Sequence, residues 1–423
     1  MVLSLYWKIR IKILQILFCE KYLKKIESTP SYAFFLKRLG KEQRIKSYFF
    51  IVSLFDLIDN TGFNRLMHRI YKLKDRKGLK VETSYIYRRF RKLNYISSNI
   101  VGSRIGHIAT ITFLNDKWLR SIEISYTYVN NSQAIIQYQF SFKKAITSPL
   151  LRHQFVEDNI MYVKKETYFY TYLDLDLLDR ADNKELYRLD DVLFSDILQA
   201  YICTLFTTKY GRYYNLPIEY ICHLRKYNKK VRKRLRSVFL CAEYEKSNEY
   251  ILISAHGDRY ECNYFYVGKM IPNSIMFRLF SDFSSEMYYT AFSRIEIQEL
   301  ENRMRKYLNS SRSFVSASDI KWLVNKKRYI KEQEERIKNN LKEENKPYIQ
   351  RTIDWKCYYR GKPEKRDLIN YPDQTSYFLK LYEENLSYLD AISSVQNNKV
   401  LVLLSIATLV ATIVGIIVQR VAN

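Results

Sequence analysis

Nineteen consecutive uncharged residues near the C-terminus, VLVLLSIATLVATIVGIIV from Val400 to Val418, constrain this chain more than any other feature. As a helix they rise about 28 Å, close to a hydrocarbon core of about 30 Å. A helix in the core of a water-soluble domain normally keeps one polar side, and this run has none between Lys399 and Arg420. The sequence therefore predicts one transmembrane helix over 400–418 and a short tail over 419–423. At the other end, MVLSLYWKIRIKILQILF is interrupted by Lys8, Arg10 and Lys12, unlike the uncharged core of an export signal. The expectation is a tail-anchored, single-pass membrane protein with the bulk of the chain facing the cytoplasm.

Pro372 and Asp373 form a helix start, and nothing from there to Gln419 breaks a helix, so a stalk over 373–399 should feed directly into the span. Leu379, Tyr382, Leu386 and Leu389 alternate steps of three and four, the pattern of a short heptad seam. Within the span, Ser405, Ala407, Thr408, Ala411, Thr412 and Gly415 gather small and hydroxyl side chains, which let helix backbones approach closely. Both features predict a homo-oligomer. The stretch LYEENLSYLDAISSVQNNKVLVLLSIATLVATIVGII (381–417) resembles the stalk and first transmembrane helix of CorA-type metal-ion channels. The resemblance implies a ring-like cluster of stalks. That family's Gly-Met-Asn loop and second span are absent, so its ion selectivity does not carry over.

Residues 107–142 read as three strands, HIATITF, LRSIEISYTYV and AIIQYQFSF, separated by Asn-Asp and Asn-Asn turns. YILIS and YECNYFYV flank a turn at His256-Gly257-Asp258 and suggest further sheet, while Asp190–Lys209 and Ser318–Asn345 read as helices. No βαβ rhythm appears. The fold class expected is an α+β cytosolic body with an antiparallel sheet, followed by a long helix ending in one C-terminal transmembrane helix. The divisions are a basic amphipathic N-terminal segment (1–26), the body (27–308), a charged helical arm (309–345) and a connector (346–372).

Lys and Arg number 70 against 44 Asp and Glu, a net charge of +26. Residues 1–100 hold 22 of these cations and 7 of the acids, so 22 − 7 = +15 lies in the first quarter. Such a field seeks anionic headgroups or nucleic acid. Two runs concentrate it: Arg88, Arg89, Arg91 and Lys92, interleaved with aromatics, and Arg225, Lys226, Lys229, Lys230, Arg232, Lys233, Arg234 and Arg236. They are candidates for binding an anionic ligand or headgroups. Asp174 and Asp176, as alternate carboxylates of a strand, are weak metal candidates. The six cysteines lack CxxC spacing and read as buried reduced thiols, and the five histidines show no metal spacing. Phosphate-loop, dinucleotide and serine-hydrolase signatures are absent, so no catalytic residue or cofactor is expected and an enzyme is the less economical reading. The function expected is a self-associating membrane effector, pore-like or membrane-perturbing as in bacterial antiviral defence, whose body senses a ligand or partner. The alternatives are a membrane-anchored nucleic-acid- or nucleotide-binding protein or nuclease, and a structural tether for a protein partner.

Overall fold

Strand β1 (Ser47–Asp59) lies in the middle of a sheet and is buried on both faces from Val52 to Ile58, the polar Ser53 and Asp56 included. The computed structural model describes residues 5–42, 47–84, 106–130, 133–146, 148–166, 175–206, 216–224, 228–237, 240–246, 249–256, 262–267, 356–364 and 401–412, with single positions between 208 and 398. The other strands are β2 (Leu79–Thr83), β3 (Gly106–Phe113), β4 (Leu119–Asn130), β5 (Gln133–Ile146), β6 (Ile218–Leu224), β7 (Leu240–Lys246), β8 (Glu249–His256), β9 (Cys262–Val267), β10 (Lys356–Tyr359) and β11 (Lys362–Glu364). Together they form one 11-stranded sheet ordered β11-β10-β7-β8-β9-β6-β1-β5-β4-β3-β2. The β6–β9 pair is parallel and the other described pairs are antiparallel.

The helices are α1 (Leu5–Glu27), α2 (Pro30–Glu42), α3 (Asn60–Leu73), α4 (Pro149–Glu166), α5 (Leu175–Arg180), α6 (Asn183–Leu205) and α7 (Lys229–Arg236). Helix α6 starts at a capping box, in which Asp182 accepts from the Lys184 and Glu185 backbone N–H groups and Glu185 reaches back to the Asp182 N–H. Register places Val52, Leu54, Phe140, Tyr138, Ile122, Ile124 and Tyr220 on one face of the sheet. Helices α4 and α6 cover that face: Phe194 stacks on Tyr220, Phe155 meets Phe142, Trp118 and Phe194 edge-on, and Phe206 stacks on Tyr138. Truncating a fully buried ring such as Phe155 should cost about 3–5 kcal/mol.

The α+β body with an antiparallel sheet is as the sequence predicts; the membrane span is corrected. Among the described residues no helix is long and apolar enough to cross a membrane. The described helical run in this region is 401–412. Positions 413–423, including Gly415, lie outside the described residues, as do the seam residues Leu379, Tyr382, Leu386 and Leu389 and the arm 309–345. The chain divides into two units, Val2–Phe292 with Pro347–Ile369 and, separately, Ser293–Lys346 with Asn370–Asn423. The stretch read as a connector thus supplies β10 and β11, joined by a two-residue turn in which Arg360 and Gly361 both have positive φ (48° and 80°).

Candidate functional site

Two surfaces of the body depart from the ordinary arrangement of apolar side chains inside and balanced charge outside. The first is α1. Its inner face buries Ile11, Gln15, Phe18, Cys19, Tyr22 and Ile26. Tyr6 (67% exposed), Ile9 (52%), Ile13 (52%), Ile16 (39%) and Leu17 (45%) recur at steps of three and four on the opposite side, where a docked surface helix would normally be polar. Phe34 on α2 adds a ring that is 70% exposed. Among the described side chains of these two helices, Arg10 and Lys24 on α1 and Lys37, Arg38 and Lys41 on α2 are exposed cations.

A buried polar node fixes which side of α1 faces out. The Tyr22 hydroxyl donates to Asp190 of α6, the Tyr32 hydroxyl of α2 donates to the same carboxylate at 2.5 Å, and His153 Nδ1 of α4 stands 3.2 Å from it. His153 Nε2 is 3.1 Å from Glu157. Burial, reinforced by Asp190, holds both tyrosines well above the usual phenol range, so they remain donors. Burial alone would lower His153, but the hydrogen bond and charge of Asp190, joined by Glu157, raise it overall. Beside the node, Arg152 pairs with Asp191 at 2.5 Å and donates to the Tyr187 hydroxyl at 3.0 Å. Lys21 pairs with Asp179, and Lys25 donates to the Asp179 carbonyl at 2.8 Å. With side chains of α1, α2, α4 and α6 committed inward, the apolar stripe has only one direction left.

The second surface is α7, capped by the Asn228 side chain, which accepts from the Val231 N–H. Val231 and Leu235, one turn apart, are buried. Arg232 and Arg236 lean onto the sheet, where Arg236 Nε donates to Glu243 at 2.6 Å, Arg232 Nε stands 3.2 Å from the same carboxylate, and Arg232 also pairs with Glu245. The Arg236 guanidinium lies 4.2 Å from the Tyr358 ring centre. Burial pushes the Glu243 carboxyl up to about 7, while Lys356, its cross-strand neighbour, pulls the other way. The two guanidiniums in contact favour its anion. Lys229, Lys230, Lys233 and Arg234 remain exposed, and none of the four has a carboxylate partner among the described residues.

The basic run 225–236 is therefore split by the fold. Arg232 and Arg236 serve the interior, Lys229, Lys230, Lys233 and Arg234 form one outward patch, and Arg225 and Lys226 lie outside the described residues, as do Arg88, Arg89, Arg91 and Lys92. In the run 401–412, Ser405, Ala407, Thr408, Ala411 and Thr412 are all exposed. The Ser405, Thr408 and Thr412 hydroxyls donate to carbonyls four residues back (2.9, 2.8 and 2.8 Å), so this helix satisfies its own hydroxyls and shows an apolar exterior. Asp176 is corrected from strand to helix: it sits exposed in the first turn of α5, where a carboxylate complements the helix dipole, and Asp174 is outside the described residues. Among the described residues no group of three or more His, Cys, Asp or Glu side chains could hold a metal ion. Cys19, Cys203, Cys222, Cys241 and Cys357 are buried and unpaired by disulfide. The Asp190 node left no trace in sequence spacing, because Tyr22 and Tyr32 lie 168 and 158 residues from it. No protein-family model, no curated protein and no solved structure matches the chain.

Proposed function

We propose that this protein is a self-associating membrane effector whose body docks on an anionic bilayer surface and responds to an anionic ligand. The observation that carries the reading is the outward stripe of α1. A helix already held to its domain by one apolar face has no folded-state use for a second, whereas an interface bordered by Lys and Arg rewards both the apolar stripe and the charge. The exposed helix 401–412 supports self-association, since Leu401, Leu404, Leu409 and Val410 each expose more than half of their area and the small residues between them permit close backbone approach.

Flotation with vesicles containing anionic lipid tests the docking. Ile9 and Ile13 each leave about half of their area to be buried, worth on the order of 1 kcal/mol apiece, so Ile9→Ser with Ile13→Ser should weaken partitioning about 30-fold. Partitioning that is unchanged in the double variant, or equal on neutral vesicles, would refute it. Dye release from the same vesicles tests the effector step. A second reading, a body that binds nucleic acid, is favoured by α7.

A further inference from the structure

We infer that the exposed face of α7 binds the phosphodiester backbone of a nucleic acid, and that this is the anionic ligand of the body in the reading proposed above, on which this assignment of a role rests. Lys229/Lys233 and Lys230/Arg234 are two like-charge pairs at i,i+4, a spacing that destabilises a helix. Lys229 and Lys230 also stand in the first turn, against the helix dipole, with no acid in that turn. Local choices that cost stability and gain nothing in the folded chain are expected where a partner is bound.

The chemistry of the face selects the partner. Val231 and Leu235 point inward, so α7 offers no apolar residue for insertion into a bilayer, in contrast to α1. Eight residues rise about 12 Å, too long a row of cations for one phosphate and suited to several along a strand. The patch is held rigidly. Glu243 anchors the two arginines on the inner side of the same helix, and the Arg360-Gly361 turn closes against its end, where a Cβ on Gly361 would come 3.8 Å from the Arg236 carbonyl. The four outward side chains thus present their charge from a fixed frame near one end of the sheet, where the strand order runs β11-β10-β7.

The test is fluorescence anisotropy of a labelled oligothymidylate of about 20 nucleotides, titrated with the full chain in detergent over a series of salt concentrations. The variant replaces Lys229, Lys230, Lys233 and Arg234 by Gln; all four are exposed, so its unfolding midpoint should be at or above that of the wild type. The wild type should bind in a salt-dependent way, and the variant should flatten the slope of log affinity against log salt by about 2.8, or 0.7 for each of four cations. The Ile9→Ser, Ile13→Ser protein should bind the strand like the wild type while losing vesicle affinity, which separates this inference from the docking reading. Strand binding that is absent, insensitive to salt or unchanged in the Gln variant would overturn it, as would a Gln variant that loses vesicles and keeps the strand.

Discussion

Replacing Asp196 by Asn should remove one large part of the decline in stability that the wild type shows as pH rises from about 4 to about 8. Asp196 lies on α6, 4% exposed, with no hydrogen-bond or ion-pair partner among the described residues. Burial alone pushes its carboxyl from 3.8 up to about 8. The folded chain therefore keeps this proton at pH 7, while the unfolded chain has released it. Because the folded value is raised, the group is neutral and costs nothing below about pH 4. From there to about pH 8, stability falls by about 1.4 kcal/mol per unit. Between pH 5 and pH 7 the wild type should lose roughly 2.7 kcal/mol relative to Asp196→Asn, which has no proton to release. Urea unfolding at the two pH values, followed by near-ultraviolet circular dichroism, measures the difference directly. Wild-type and variant curves that stay parallel from pH 5 to pH 7 would show that the carboxyl is already ionised in the folded chain, and the burial argument would be wrong.

Asp190→Ala strands two tyrosine hydroxyls and His153, and should cost about 3–5 kcal/mol with α1 becoming the first segment cut in limited proteolysis; unchanged protection of α1 would contradict the node's role. His153, raised overall by Asp190 and Glu157, stabilises fully below about pH 6.5 and loses that contribution as pH rises through its folded value, so α1 amides should exchange faster at high pH after intrinsic-rate correction, and His153→Gln should abolish the dependence. Gly106→Ala places a Cβ 2.2 Å from the Tyr126 ring, so the ring must move, and a loss of about 1–3 kcal/mol should appear in the unfolding midpoint.

Strands β3, β4 and β5 are legible in the sequence because one face meets the helices and the other is in part half-exposed, which imposes alternation on residues such as Ser121, Ile122, Glu123 and Ile124. Central β1 lacks that signal, since burial on both faces puts apolar residues on each of them and the buried Ser53 and Asp56 fall out of any alternation. The start of α6 was readable seven residues before Asp190, in the Asp182 and Glu185 of its capping box. The hairpin of β10 and β11 hides among prolines, and only the Arg360-Gly361 turn marks it. The same limits hold for the candidate site. Basic residues 225–236 announce themselves as a run, but which two turn inward depends on Glu243 and Tyr358, which arrive from other strands. The apolar character of 1–26 is equally plain, yet its division into a docked face and a free one depends on Asp190, more than 150 residues away. The span over 400–418 rests on hydropathy alone, and among the described residues no helix is long and apolar enough to cross a membrane.

The most direct test of the docking claim places a tryptophan at Ile13, the centre of the outward stripe, and adds anionic vesicles whose acyl chains carry bromine. The account predicts that the fluorescence added by Ile13→Trp shifts to the blue and is quenched by the brominated chains, with much weaker quenching on neutral vesicles. An added emission that stays at its aqueous wavelength and is unquenched, while the protein is bound to the vesicles, would contradict it.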